Sequence, residues 1–313
     1  MSAGPGTMPM TAVKHWMTEA EAILRESPVR VLRDVPLRTR TSLGVGGEAP
    51  LLLAPARPEE LAPVMERLFQ AGVPFDFLGA GSNLLVADEG PSFVVISSES
   101  LQEEPRIEGD RVLAGAGYPV PRLVKRAAAA GLSGIEFAEG IPGSVGGCVR
   151  MNAGWHEGMF GNAVASLTTI TRQGRIEELA AGAGTFAYRR SPGVGDRFIA
   201  AATLRLLPDD PARVRERMRA YHDHRVSTQP TGAKNAGCIF KNPEEGHAGR
   251  LIDQSGLKGT AVGRAVVSDV HANFIVNRGG ATFRDVLLLI DRVRDEVSKK
   301  TGITLETEVI VWR

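Results

Sequence analysis

The sequence predicts an α+β fold arranged as more than one domain, and three observations carry that reading. From Leu51 onward, short apolar runs alternate with stretches of helical periodicity. Two glycine-rich segments, at Gly79 to Asn83 and Gly140 to Gly154, keep apolar side chains among their glycines, unlike a Ser-rich linker. The break Pro208-Asp209-Asp210-Pro211 sets a boundary near residue 205, before a charged helix and a compact α+β end. At 313 residues the chain exceeds one ordinary core.

Leu51 to Ala54 reads as a strand, and Pro58-Glu59-Glu60 opens a helix to about Gln70, ended by Gly72. Phe75 to Leu78 is a second strand running into the first glycine turn, after which Leu84-Leu85-Val86 looks extended. Val94 to Ile96 and Val112 to Ala114 are further strands, and Pro121 to Ala130 is a helix closed by Gly131. Leu167 to Thr171 and Arg175 to Leu179 flank Gln173-Gly174 as a hairpin. Phe198 to Leu206 is a strand, followed by the charged helix to about Arg225. The end reads as strands Ala265 to Ser268 and Phe274 to Asn277, helix Thr282 to Lys300 stopped by Thr301-Gly302, and strand Thr304 to Trp312.

Hydrophobic residues make up 43% and charged residues 23%, a soluble globular profile. A net charge of +1 gives no electrostatic argument for nucleic acid or a membrane surface, so an anionic ligand needs local amides and placed cations. Cys148 and Cys238 are too few for a disulfide framework or structural zinc. No HExxH or clustered Cys/His spacing occurs, and no metal is expected. The first residues lack the apolar core of a signal peptide, and no run is long enough to span a bilayer. A cytoplasmic enzyme with a mobile extension over residues 1–28 is the expectation.

Gly140-Ile141-Pro142-Gly143-Ser144-Val145-Gly146-Gly147 needs a backbone reason, since glycine costs entropy and buries no side chain. Positive φ or close approach to a flat or charged ligand supplies one. Gly79-Ala80-Gly81-Ser82-Asn83-Leu84 follows a strand, as a phosphate-binding turn does. It has Leu84 where a dinucleotide-binding Rossmann turn needs its third glycine, and no helix follows. Alone it is a connecting turn; paired with the second cluster it becomes a diphosphate cradle. Asn235 to Pro243 packs a thiol, a basic group and amides into one polar segment, although a free cysteine is more often a small buried hydrophobe. Nothing local separates Arg189 from Arg190. Glu306 and Glu308 alternate along an expected strand, either its wet face or a carboxylate pair at a cleft.

Taken together, several segments resemble one family: UDP-N-acetylenolpyruvoylglucosamine reductase, also called UDP-N-acetylmuramate dehydrogenase. They are Thr41 to Gly47, Gly79 to Leu84, Gly140 to Gly154, Tyr188-Arg189, Ala236 to Pro243, Leu257-Lys258-Gly259, Val267-Ser268, His271 to Phe274 and Leu305 to Val309. They occur in order over residues 29 to 313. The resemblance implies an FAD-binding domain of the vanillyl-alcohol oxidase (PCMH) type, made of two α+β subdomains over 29–204. It implies a C-terminal α+β substrate-binding domain over 205–313. Arg189 runs through Ser191-Pro192-Gly193-Val194-Gly195 straight into the next strand, which points to the second type, without the tyrosine loop.

The activity implied is reduction of the enolpyruvyl ether of UDP-N-acetylglucosamine enolpyruvate to UDP-N-acetylmuramate, in peptidoglycan precursor synthesis. NADPH reduces non-covalently bound FAD, and flavin N5 passes hydride to the substrate β-carbon in a ping-pong sequence. By resemblance, Arg189 and Glu308 stabilise the enolate and Cys238 protonates the α-carbon, as cations and neutral donors aimed at developing charge would. Serine is commoner at the position of Cys238, but a thiol of pKa about 8.5 is the stronger acid, and open to alkylation. The cofactor positions implied are Gly46, Gly47, Gly79, Ala80, Gly81, Ser82, Asn83, Leu84, Gly140, Ile141, Gly143, Ser144 and Gly147. Those implied for substrate are Tyr188, Lys241, Asn242 and His271. A monomer is expected. The competing readings are another oxidoreductase on the same scaffold, a non-catalytic flavin protein, and a colourless sugar-nucleotide transferase.

Overall fold

A computed structural model describes residues 10–155 and 158–313. Its first lobe is a four-stranded mixed sheet in the order Arg30–Pro36, Glu48–Ala54, Val94–Ser97, Phe75–Leu78. The first pair is antiparallel and the other two are parallel. Helix Pro58–Gln70 makes the crossover, with proline at its start and Glu59 and Glu60 in its first turn, where the helix dipole favours anions. Its Leu61, Val64, Met65 and Leu68 are buried against the sheet, each contributing about 1.5–3 kcal/mol.

The N-terminal segment departs from expectation. Met10–Leu24 is a helix, and Trp16, Ala20, Ile23 and Leu24 are buried in the same cluster as Leu61, Met65 and Leu68. It is therefore part of the first lobe's core from Trp16 onward and not a mobile extension. Its apolar residues recur at spacings of three and four, a stripe that needs a partner surface to be stable. The first nine residues of the expected extension lie outside the described residues.

The second lobe is a five-stranded antiparallel sheet in the order Ile176–Ala180, Val164–Ile170, Phe198–Arg205, Arg111–Gly115, Arg106–Glu108. The expected hairpin is present, with Gly174 at φ +77° in its turn. Helices Val120–Ala129 and Val145–Arg150 pack on this sheet. So does helix Pro211–Thr228, which Asp210 caps through Oδ1 and which inserts Val214 and Met218 into the same core.

The third unit is an antiparallel sheet ordered Lys234–Cys238, Phe274–Asn277, Ala265–Val267, Ala261–Val262. Helix Phe283–Thr301 lies across it on Val286, Leu289, Ile290, Val293 and Val297. Thr282 and Asp285 form a capping box, and Gly302 at φ +75° ends the helix. The last strand, Ile310–Trp312, returns to pair in parallel with Leu84–Val86 of the first lobe.

Only those three residues of the expected strand Thr304 to Trp312 are regular. Before them the chain crosses Ile239 to Lys241, with a single bridge between Phe240 and Thr307. The Glu308 amide donates to the Ile239 carbonyl at 2.7 Å, and the Lys241 amide donates to the Glu306 carbonyl at 2.8 Å. The two carboxylates consequently separate in environment. The Glu306 side chain is 73% exposed and that of Glu308 is 13% exposed.

Candidate active site

A cavity of about 540 Å³ lies where the three units meet. Its floor comes from residues 79–84 and from 140–142, 144, 146 and 147, and its far wall from residues 229–233, 235–238 and Glu308. The two glycine segments touch. A Cβ on Gly79 would stand 2.9 Å from Ser144 Oγ and 3.6 Å from Gly147 Cα. The second segment is not all loop: Ser144 caps the short helix Val145–Arg150, accepting from the Gly147 amide. Sequence reasoning missed that helix because its first turn holds two glycines, poor helix formers.

Of the sequence-predicted cofactor positions, Gly79 to Leu84, Gly140, Ile141, Ser144 and Gly147 line this cavity. Gly143 lies just behind, its Cβ direction 3.3 Å from Cys148 Sγ. Gly46 and Gly47 are not among the lining residues. There a Cβ would meet Val86 Cβ at 2.9 Å and the Asp88 carbonyl oxygen at 2.2 Å, so glycine serves close packing of chain on chain. Gly81, at φ +64°, likewise faces the Arg40 carbonyl oxygen at 2.0 Å from its Cβ position. A long, side-chain-poor floor of glycine-rich main chain with an apolar face fits FAD, whose diphosphate needs donors and whose ring needs a flat surface.

Asn83 ties this floor to the far wall. Its Nδ2 donates to the Glu308 carbonyl at 3.1 Å, and its own carbonyl accepts from Ile310 at 3.0 Å. Ser42 adds a second tie, donating to the Asn235 carbonyl at 2.6 Å.

Arg189 and Tyr188 stand at the tip of a tight turn closed by paired hydrogen bonds between Ala187 and Arg190. The turn forces Arg189 to φ +54°, a left-handed conformation costing about 1–3 kcal/mol in a non-glycine residue. This geometry resolves the ambiguity left by the sequence: Arg189 enters the main cavity, while Arg190 lines only a smaller adjoining one. Arg189 Nη1 donates to the Gly154 carbonyl at 2.8 Å, and Nε lies 3.1 Å from Glu308 Oε1. That Nε–H is buried and has no well-aligned acceptor among the described residues.

Burial raises the Glu308 carboxyl above its usual range, against the opposing pull of Arg189 and Lys241. Cys238 also opens onto the cavity, and burial, then Glu308, push its thiol up to about 12, despite Arg189 and Arg225. The thiol is therefore held protonated at neutral pH. This reverses the expectation of an alkylation-prone cysteine, because the reactive thiolate is disfavoured.

The four expected substrate positions are less uniform. Lys241 pairs with Glu306 and lines the adjoining cavity. Half-exposed Tyr188 accepts from the Asn242 amide at 3.2 Å through its hydroxyl. The Asn242 side chain is engaged in capping helix Ala248–Gln254, through Oδ1 and the Ala248 amide at 3.0 Å. His271 lines neither cavity; its ring packs edge-on to Phe274 at 4.9 Å and its Nδ1 accepts from the Asn273 amide. Trp155 and Arg225 also line the cavity, the guanidinium 4.4 Å from the centre of the indole ring. Arg225 ends a helix rich in arginine, read from sequence only as a charged helix, so its place in the cavity wall comes from the fold.

Among the described residues, no helix is long and apolar enough to cross a membrane. A family model described as an FAD binding domain matches residues 49–180. A second, the C-terminal domain of UDP-N-acetylenolpyruvoylglucosamine reductase, matches residues 229–312. The reductase of that name from Geobacter metallireducens is 44% identical over 279 residues, 89% of this chain and 93% of that protein. The Bacillus subtilis reductase is 40% identical over 293 residues, 91% of this chain and 95% of that one. The solved structure of the Thermus caldophilus enzyme superposes with a TM-score of 0.77 at 39% identity, covering 91% of this chain and 99% of that one. The chain belongs to the UDP-N-acetylenolpyruvoylglucosamine reductase family and is an FAD-dependent oxidoreductase.

Proposed function

We propose that this chain reduces UDP-N-acetylglucosamine enolpyruvate to UDP-N-acetylmuramate with NADPH, acting as a cytoplasmic monomer in peptidoglycan precursor synthesis. The observation that carries the reading is the convergence of Arg189, Glu308 and Cys238 on one cavity whose floor is the glycine bed. When bound, FAD, held without a covalent link, supplies hydride transfer between NADPH and the enolpyruvyl β-carbon.

The protein's own groups manage the charge that follows. Hydride addition at the β-carbon leaves an electron pair on the α-carbon, delocalised into the carboxylate. Arg189, already constrained by its turn and by Gly154, meets that charge without reorganising. A protonated Glu308 donates to it where a carboxylate would repel it. Cys238 then gives its Sγ proton to the α-carbon, completing the saturated ether, and regains a proton from solvent. Its high pKa keeps the proton in place until the carbanion forms, a far stronger base than the thiolate.

Rapid mixing separates this reading from an alcohol oxidase on the same fold. Flavin reduced by NADPH should be reoxidised without oxygen by the enolpyruvyl sugar nucleotide. Reoxidation that requires oxygen, or an alcohol that reduces the flavin, would exclude the proposal.

A further inference from the structure

Arg225 stands in the last turn of helix Pro211–Thr228, only 8% exposed, and lines the main cavity. Its guanidinium is held on three sides. Nε donates to the Glu139 carbonyl at 3.2 Å, Nη1 donates to Gln229 Oε1 at 3.1 Å, and the group lies 4.4 Å from the centre of the Trp155 ring. Nη2 is buried and has no hydrogen-bond partner among the described residues. A buried donor left unpaired is costly, and the planar fork is held by its other contacts rather than free to seek an acceptor. The groups facing its charge are the Glu139 carboxylate, in electrostatic range but not hydrogen-bonded to it, and the thiols of Cys148 and Cys238. Both thiols are held protonated by burial.

The position of the group indicates what it serves. Any residue but glycine at 140 would place a Cβ 3.0 Å from Arg225 Cδ, so the arginine packs directly on the glycine bed. Arg189 stands with Glu308, whereas Arg225 reaches the cavity over the floor. We propose that Arg225 is a cofactor-contacting residue whose guanidinium, where it lines the cavity, meets the flavin ring and stabilises it in its electron-rich, reduced form. This deepens the assignment of the main cavity to FAD. A fixed cation at the ring makes acceptance of hydride from NADPH more favourable, and its rigidity adds no reorganisation cost.

The test compares the purified holoenzyme with its Arg225→Gln and Arg225→Lys variants, reading the flavin reduction potential without substrate. The glutamine variant is expected to lose about tenfold in the reduction equilibrium, a potential about 30 mV more negative for a two-electron couple. The lysine variant should recover most of that loss. A parallel titration with the UDP-sugar substrate, read by flavin absorption, should show unchanged affinity. An unchanged potential with weakened substrate binding would assign the guanidinium to the substrate and overturn the proposal. If neither changes, Arg225 merely braces Trp155, and the proposal also fails. Should the glutamine variant purify without flavin, its affinities for oxidised and reduced FAD decide: a greater loss for the reduced form supports the proposal, and equal losses overturn it. A wild-type protein that binds no FAD would instead remove the cavity assignment itself.

Discussion

Asn83 and Glu308, 225 residues apart, are joined by a hydrogen bond of 3.1 Å from the amide side chain to the main-chain carbonyl. The turn that forms the cofactor floor thus holds the backbone of the residue proposed to face the enolate. Floor and acid are positioned by one contact, which the parallel pairing of Ile310–Trp312 with Leu84–Val86 extends.

Asn83→Ala should therefore retain FAD yet slow reoxidation by substrate more than reduction by NADPH. A misplacement approaching 1 Å costs up to about 10²-fold in rate. Stopped-flow measurement of both half-reactions checks this; equal slowing of the two would place Asn83 in cofactor binding alone.

Cys238→Ser should keep substantial activity, because a hydroxyl can occupy the same place. Cys238→Ala should accept hydride from NADPH normally and lose about 10²- to 10⁴-fold in reoxidation by the enolpyruvyl substrate. Wild-type reoxidation in the alanine variant would remove the proton-donor assignment.

The thiol itself has a measurable signature. With Cys238 raised to about 12, its alkylation by iodoacetamide should be slow at neutral pH and accelerate only well above pH 9.0, where an ordinary thiol ionises. The corresponding stability term is fully present below 9.0 and is lost as pH rises toward the folded value. Mass-spectrometric labelling rates against pH provide the check, and half-maximal labelling near pH 8 would contradict it.

Glu308, raised by burial from 4.5, should be active as the neutral acid. The stability linked to it is present below pH 4.5 and declines as pH rises through the folded pKa. The rate of reoxidation should fall across the same rise, as the carboxyl ionises opposite the enolate. Glu308→Gln should lack that pH limb, whereas Glu308→Ala should lose about 10²- to 10³-fold at all pH values. A glutamine variant with the wild-type profile would show that another group titrates.

Trp16→Ala tests the N-terminal helix. Removing a buried tryptophan from the first lobe's core should destabilise by about 3–5 kcal/mol and lower Tm. An unchanged melting curve would mean that the helix is not docked in solution.

Much of the fold was legible because it rests on local signals. Pro58 with Glu59 and Glu60 marked a helix start, Gly302 a helix stop, and Gln173-Gly174 a hairpin, and each sits where those signals place it. The acceptor and donor residues of the proposed chemistry were reached only through joint resemblance of separated segments, since Arg189 and Arg190 are equivalent by local sequence. The tertiary structure distinguished them by a turn that turns one guanidinium into the main cavity. It also parted Glu306 from Glu308, because periodicity of two holds only in a regular strand and this segment crosses another irregularly. Gly46 and Gly47 pack closely against neighbouring chain outside the cavity lining, and a glycine required by a neighbouring backbone looks like one required by a ligand in sequence. Arg225 and the high thiol pKa of Cys238 belong wholly to the folded state: both follow from burial and from charges more than 10 residues away, which no local pattern encodes.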